Sequence, residues 1–441
     1  MKIQIAKSNH DNFDNFRAGV VYQIFPDRFA RDESVPADRE LVEWGSVPTP
    51  QNFFGGNLRG ITNHISYIAE LGVKNIYFNP IFSAKSNHRY DAHDYKEIDP
   101  LLGTHDDFRA LVKAAKSHGI GIVIDGVFNH VGDHYPDFVA AKQGDAELAK
   151  QFFLYPDGSY QTFGSAKSLP KLNLENESVL NHIVEVMEFW DTFEIAGWRF
   201  DVPYKVSNEV WQKLRERTAH LKSAQFIVAE AWTDWTFAEN FESVQNYKTG
   251  NRILDYSVHM RCDSEDFILD VTRYAASWKD GSVLWNFIDS HDTARYLTQC
   301  REDYEAFLIG FALHMLMPGI PVVFSGTELA VSGDNDPGCR TSFPTELSQT
   351  QTATLKITRE WIHLRLNPAL SHGDLEVVEL KNHAMLFTRT YGEKKIDVLV
   401  NTGYQDELLL AEVSGDWKNV RHENSKISGN IVPKRSIFYR I

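Results

Sequence analysis

The sequence predicts an α/β chain: a (β/α)8 TIM barrel with a small lobe inserted after strand 3 and a C-terminal antiparallel β-domain. Three observations predict it. Short β-prone runs alternate eight times with amphipathic stretches of helical length, the pattern of a parallel sheet closed by crossover helices. Several of these runs end in a carboxylate or a histidine, as barrel strands do when their C-terminal ends converge on one polar mouth. Beyond residue 366 the pattern changes to period-two runs separated by turns, which is antiparallel spacing.

The strand candidates are residues 20–25, 75–79, 120–127, 196–202, 226–229, 243–247, 283–288 and 321–324. Helix candidates lie between them, at 61–71, 105–117, 179–192, 207–220 and 304–315. After the third run, residues 131–176 are polar and mixed, with a turn at Tyr155-Pro156-Asp157-Gly158. That stretch is too long for an ordinary loop, and a lobe over the barrel mouth is expected there. A last helix around 352–366 closes the barrel, and the runs 375–379, 384–390, 396–401 and 407–410 follow, with a turn at Gly392-Glu393-Lys394. The expected domains are therefore 1–130 with 177–366 (barrel), 131–176 (lobe) and 367–441 (β-domain). No internal repeat or low-complexity segment interrupts them.

Composition bounds the function. The 441 residues carry a formal net charge of −15, which disfavours nucleic acid and anionic membranes as partners and is silent about a neutral substrate. Aromatic residues make up 12%, with 10 Trp. Aromatic faces suit the C–H faces of sugars, although core packing is the commoner use of any single ring. Cys262, Cys300 and Cys339 are odd in number and far apart, so free buried thiols are expected rather than a disulfide framework or a zinc site. The N-terminal ten residues contain no apolar leader core, and no run reaches membrane-spanning length. A cytoplasmic location is expected.

Four segments carry chemistry: Asp125-Gly126-Val127-Phe128-Asn129-His130, Gly197-Trp198-Arg199-Phe200-Asp201, Ile227-Val228-Ala229-Glu230 and Phe287-Ile288-Asp289-Ser290-His291-Asp292. Residues i and i+2 of a strand share a face, so Arg199 and Asp201 enter the barrel mouth together. The guanidinium is expected to hold Asp201 ionised, as a nucleophile requires; the alternative is a structural ion pair. Glu230, beside the indole of Trp232, suits a general acid; the alternative is a solvated loop carboxylate. His291 and Asp292 together are suited to gripping two sugar hydroxyls, and His130 to a further one. Three carboxylates on separate strand ends fit glycoside hydrolysis, which needs at least two. A spacing of about 5–5.5 Å between Asp201 and Glu230 would mean retention of configuration.

In this order and spacing the four segments resemble the α-amylase superfamily of glycoside hydrolases, and the likeness runs from Val21-Tyr22-Gln23-Ile24-Phe25-Pro26-Asp27-Arg28-Phe29 to the C-terminal β-domain. The resemblance implies that Asp201 is the nucleophile, Glu230 the general acid/base and Asp292 the transition-state stabiliser. It implies that Arg199, His130 and His291 bind the sugar at subsite −1, that Tyr90 stacks under that ring and that Asp125 braces the site. Phe163 in the lobe and Trp232 are candidates for contacts on the plus side.

Leu169-Pro170-Lys171-Leu172-Asn173 is similar to the signature of neopullulanases, cyclomaltodextrinases and maltogenic amylases. Gly55-Gly56-Asn57-Leu58-Arg59-Gly60, Ser86-Asn87-His88-Arg89-Tyr90-Asp91 and Asp336-Pro337-Gly338-Cys339-Arg340 resemble the same branch. The implied substrates are short α-glucans: cyclodextrins, maltooligosaccharides, pullulan or starch. The first barrel strand begins near residue 20, so the N-terminal β-sandwich usual in that branch is not expected. A more open cleft follows, and the oligomeric state is left open. Pro203 and Tyr204 after Asp201, and Ala231 after Glu230, depart from the branch pattern on the acceptor side. Calcium-binding relatives carry Asn and Asp ligands after Phe-Ala in the first long loop. Here Arg31-Asp32-Glu33 follows Phe29-Ala30, and Asn57 replaces an expected Asp. Calcium needs several oxygen ligands, so no metal or other cofactor is expected.

The competing readings on the same scaffold are an exo-acting α-glucosidase or a 4-α-glucanotransferase. A non-catalytic carbohydrate-binding relative would typically lack one of the three carboxylates, all present here. A phosphate-binding barrel enzyme would need an anion site at Ser325-Gly326-Thr327-Glu328, where Glu328 is repulsive.

Overall fold

Eight parallel strands close into a barrel in chain order: β1 (Val20–Ile24), β2 (Val73–Phe78), β3 (Gly121–Gly126), β4 (Gly197–Phe200), β5 (Ile227–Ala229), β6 (Ser243–Asn246), β7 (Trp285–Phe287) and β8 (Ile320–Phe324), with β8 pairing back onto β1. The structure is a computed structural model describing residues 2–3, 13–413, 415–419, 426–427 and 429–441. The remainder of the N-terminal stretch read above for a leader lies outside the described residues.

Strand periodicity sorts the core into two layers. Val21, Val123, Val228 and Val322 point into the barrel, where Tyr77, Trp285 and Phe287 fill the remaining space. Their neighbours Tyr22, Ile122, Ile124, Ile227 and Val323 face outward to the helices. Phe16 closes the bottom by stacking on Phe226, ring centroids 3.7 Å apart. Gly197 starts β4 where a Cβ would lie 2.6 Å from the Phe226 carbonyl oxygen, so only glycine lets β4 and β5 approach this closely there.

The crossover helices are α1 (Leu58–Asn63), α2 (Ile65–Glu70), α3 (His105–Ser117), α4 (Glu177–Asp191), α5 (Asn208–Thr218), α6 (Tyr247–Ser257), α7 (Ser264–Ala276), α8 (Tyr304–Leu316) and α9 (Gln349–Arg365). The single helix expected over 61–71 is two short ones. His64 breaks it because its N–H reaches only three residues back, to the Ile61 carbonyl, while its ring Nδ1 lies 2.8 Å from the Gly60 oxygen. Among the described residues no helix is long and apolar enough to cross a membrane, and all three cysteines are free and buried.

Residues 131–176 leave the barrel between β3 and α4. They hold a helix (Pro136–Lys142) and a 3-10 turn (Leu148–Gln151), joined by isolated bridges such as His130 to Lys171 and Phe152 to Leu172. The C-terminal sheet contains β9 (Asp374–Lys381), β10 (Ala384–Tyr391), β11 (Lys394–Asn401) and β12 (Ser436–Arg440), with Lys2–Ile3 added antiparallel to β9. The expected run 407–410 is not a strand of this sheet. Only Glu407–Leu408 is a strand, pairing with Ile431–Val432 outside it, and Leu408 and Leu410 are exposed. Its place is taken by β12, whose Ile437, Phe438 and Tyr439 are buried.

Candidate active site

Arg199, Asp201 and Glu230 stand at or just beyond strand ends, and Tyr90, Phe163 and Arg340 reach the cavity above them from loops. The register sets Arg199 on β4 level with Asp125 on β3 and Val228 on β5. The ladder continues one residue past the strands: Asp201 N–H donates to the Gly126 carbonyl (3.1 Å) and Glu230 N–H to the Phe200 carbonyl (3.0 Å). Both acids are therefore fixed in height by main chain. Val202 follows Asp201 with φ +39°, a left-handed conformation that costs a β-branched residue about 1–3 kcal/mol. Its N–H donates to Glu230 Oε2 at 2.8 Å.

Arg199 organises the carboxylates. Its Nη1 lies 2.8 Å from Asp125 Oδ1 and 2.9 Å from Asp201 Oδ1, and its Nη2 lies 3.1 Å from Glu230 Oε2. Asp125 also accepts the hydroxyls of Tyr77 (2.8 Å) and Tyr90 (3.0 Å). Above them opens a cavity of about 350 Å3 whose walls include Asp201, Glu230, Asp292, Tyr90, His130, His291, Phe163 and Trp232. Arg199, expected to bind the sugar, does not line it and is buried beneath it, as is Asp125, expected to brace the site. The two Nη groups of Arg199 hold the acids, and Asp125 holds Arg199, Tyr77 and Tyr90, which makes both positioning residues.

The opposite wall is a relay. Tyr90 OH lies 2.7 Å from His291 Nε2, and the two rings are stacked 7° from parallel. His291 Nδ1 meets Gln23 Nε2 at 2.8 Å, and its Nε2 is also 3.1 Å from Asp292 Oδ2. Both ring nitrogens of His291 are thus occupied by protein. His130 differs: its Nε2 is buried without a hydrogen-bond partner among the described residues, and Phe163 stacks on its ring at 5.0 Å. Trp232 is not simply an apolar neighbour of Glu230, because its Nε1–H donates to Glu230 Oε1 at 2.9 Å and its ring stacks on Tyr247 at 4.2 Å.

The electrostatics follow from burial. Asp125, Asp201, Glu230 and Asp292 face two guanidiniums, Arg199 and Arg340. Burial pushes the Asp201 carboxyl well above its usual range, and Glu230 adds to the effect. Arg199 acts on Asp201 in the expected direction and lowers it, but the guanidinium is shared among three carboxylates, and burial with the neighbouring carboxylates outweighs it. Burial raises Asp292 to about 7 against the pull of Arg340. Burial lowers His130 to about 3 and takes His291 well below its usual value, so both imidazoles are neutral near pH 7. A neutral imidazole and a protonated carboxyl both offer hydroxyl-matching hydrogen bonds.

The sequence motifs contain Arg340 and His88 without revealing a role for either. Arg340 Nε donates to the His291 carbonyl (2.9 Å), its Nη2 reaches Asp292 Oδ1 (3.3 Å), and its Nη1 pairs with Asp336 (2.9 Å). His88 holds the Tyr90 N–H through Nδ1 at 3.1 Å. Arg340 lies 48 residues from Asp292, and the parallel pairing of β7 with β8 makes the loops that carry them neighbours.

The first long loop does not fit calcium. Asn57 Nδ2 donates to the Asp32 and Gly55 carbonyls (3.0 and 3.3 Å), placing N–H groups where a cation would need open oxygens. The Asp32 carboxylate is occupied by Ser34 and Asn63. The turn after β8 does not fit phosphate either: Glu328 fills it, accepting the Gly326 N–H (2.9 Å) and the hydroxyls of Tyr22 (2.7 Å) and Tyr67 (2.8 Å).

Comparison with known proteins agrees with this geometry. Residues 23–363 match the family model described as alpha amylase, catalytic domain. The chain is 35% identical over 403 residues to a maltogenic alpha-amylase of Bacillus acidopullulyticus, covering 87% of this chain and 69% of that protein. It is 35% identical over 338 residues to a cyclomaltodextrinase of a Bacillus species, covering 73% of this chain and 61% of that protein. The ligand-free cyclic alpha-maltosyl-(1→6)-maltose hydrolase of Arthrobacter globiformis superposes with a TM-score of 0.85 at 32% identity, covering 97% of this chain and 99% of that one. With its family model, its barrel and its strand-end acids in agreement, the chain belongs to the α-amylase family of glycoside hydrolases.

Proposed function

We propose that this protein is a retaining hydrolase of short α-glucans, cutting α-1,4 bonds of maltooligosaccharides and cyclodextrins, tolerating α-1,6 bonds and transferring some glycosyl units to sugar acceptors. The observation that carries the reading is the single guanidinium of Arg199 gripping Asp201 and Glu230 at adjacent strand ends, with Asp292 facing them across the cavity. Asp201 reacts as the carboxylate, the form that the Arg199 guanidinium at 2.9 Å favours against burial, and attacks the anomeric carbon while Glu230 gives a proton to the leaving oxygen; Glu230 then takes a proton from the water that releases the covalent intermediate. Asp292, held by Arg340 and His291, and His130, with its free Nε2, bind ring hydroxyls and favour the distorted sugar of the transition state. No metal takes part in this reading. The three free buried thiols support a reducing, cytoplasmic location.

Asp201→Asn should lower turnover of maltotriose by about four orders of magnitude or more while circular dichroism and Tm stay near wild type; normal turnover in that variant sinks the assignment. In the wild type, proton NMR of the first product should show the α-anomer before mutarotation, and a β-anomer would mean inversion. Initial rates on β-cyclodextrin and soluble starch at equal mass, with products resolved, separate this reading from its neighbours: glucose alone marks an exo-acting α-glucosidase, and a ladder of longer chains marks a 4-α-glucanotransferase.

A further inference from the structure

A second cavity, of about 560 Å3, opens on the flank of the barrel between the loop after β1 and the loop after β8. Trp44, Phe343 and Tyr304 supply aromatic rings to its walls, and Ser332, Thr341 and Ser348 supply hydroxyls. Glu346 is the one charged side chain among its described lining residues. The wall is preformed. Trp44 Nε1–H donates to the Phe343 carbonyl (2.9 Å), and Phe343 N–H donates to the Arg28 carbonyl (2.7 Å). The Phe343 ring packs 4.9 Å from Phe29. With its N–H spent, Trp44 can offer the cavity only ring surface. Tyr304 is 39% exposed. The Thr341 hydroxyl is shielded from solvent and has no hydrogen-bond partner among the described residues.

Rings and hydroxyls without a cation suit a neutral, polyhydroxylated ligand: apolar C–H faces lie on the rings and hydroxyls pair with hydroxyls. An anionic ligand would meet Glu346 and no counter-charge. The location narrows the class. Asp336 and Arg340 line the catalytic cavity, and Thr341 and Phe343, the next residues on the same loop, line this one. We propose that this flank cavity is a second α-glucan-binding site, which holds part of a long glucan outside the catalytic cavity. The inference rests on the α-glucan reading of that cavity.

The test pairs binding with turnover. Retardation in gels containing soluble starch is measured for Asp201→Asn and for the same protein carrying Trp44→Ala or Tyr304→Ala; Tyr304 is exposed and makes no part of the fixed wall. Maltotriose hydrolysis is measured with each flank substitution alone. Either substitution should weaken starch affinity by about 3–10-fold, the value of one aromatic contact, and leave kcat/KM on maltotriose unchanged. Unchanged starch affinity in both variants, or an equal loss on maltotriose, overturns the site. If the wild type hydrolyses no α-glucan yet its starch retention depends on Trp44, the catalytic reading fails and the second site stands. Hydrolysis with Trp44-independent and Tyr304-independent retention removes the second site alone.

Discussion

Asp292 shows how a single residue trades stability for chemistry. Its carboxyl is raised to about 7 by burial, so it holds a proton in the folded state where the unfolded chain has lost its own. The folded state is then penalised progressively as pH rises from about 4 to 7. Asp292→Asn removes the titrating group and keeps the shape. The Tm of the variant should exceed that of the wild type by an increment that grows across that window and levels off above pH 7, while turnover is lost. An increment independent of pH would show that the carboxyl is not raised in the fold. At this scale the sequence is informative where residues are close along a strand: the i, i+2 spacing puts Arg199 and Asp201 on one face, and they do share a contact of 2.9 Å. It is uninformative about the balance of charge. Burial and the carboxylates of neighbouring strands decide that balance, and neither is visible in Gly197-Trp198-Arg199-Phe200-Asp201. The roles of Arg340 and His88 are invisible for the same reason, since their partners come from other loops.

At the scale of elements, the barrel strands are legible because most carry their own signal, a short β-prone run, and several end in a polar group. The C-terminal edge is not. Residues 407–410 read as a strand by period alone, and tertiary packing chooses Ser436–Arg440 instead, because that segment brings Ile437, Phe438 and Tyr439 to a buried face. The loop after β1 belongs to this scale as well. Its Asn57 caps α1 by accepting the Gly60 N–H at 2.9 Å and ties the loop through the Asp32 carbonyl. Dialysis against EDTA should leave Tm within about 1 °C and activity within about 20% of the untreated protein, since the loop's oxygens are already paired with N–H groups. A chelator-induced fall in Tm that added calcium reverses would show that the loop rearranges to bind the metal.

Barrel and β-domain share one apolar cluster, and polar links, among them buried arginines, cross between them as well. Arg435 on the approach to β12 donates to the Ser257 carbonyl (3.1 Å) at the end of α6 and pairs with Asp303 (2.8 Å) before α8. Thr402 Oγ1 donates to the Tyr256 carbonyl (3.0 Å), and Tyr256 OH returns a bond to the His383 carbonyl (2.7 Å). Arg389 is the deepest of these links. Its fully buried guanidinium donates to the carbonyls of Leu316, at the end of α8, and of Leu370 and Gly373 (both 2.8 Å). Burial lowers it to about 9, so it remains a cation at neutral pH. Replacing it with methionine keeps much of the volume and strands three main-chain acceptors that cannot turn to water. Each unmet acceptor costs about 1–3 kcal/mol, and removal of a buried charge returns part of that, leaving a net loss of about 2–4 kcal/mol. Because these bonds tie the sheet to the helices that pack on β6–β8, barrel and β-domain should unfold together. Calorimetry of the wild type should show one transition, and Arg389→Met should move it to lower temperature or split off a lower-melting β-domain. Two transitions in the wild type, or an unchanged midpoint in the variant, would mean that the crossing arginines do not couple the domains.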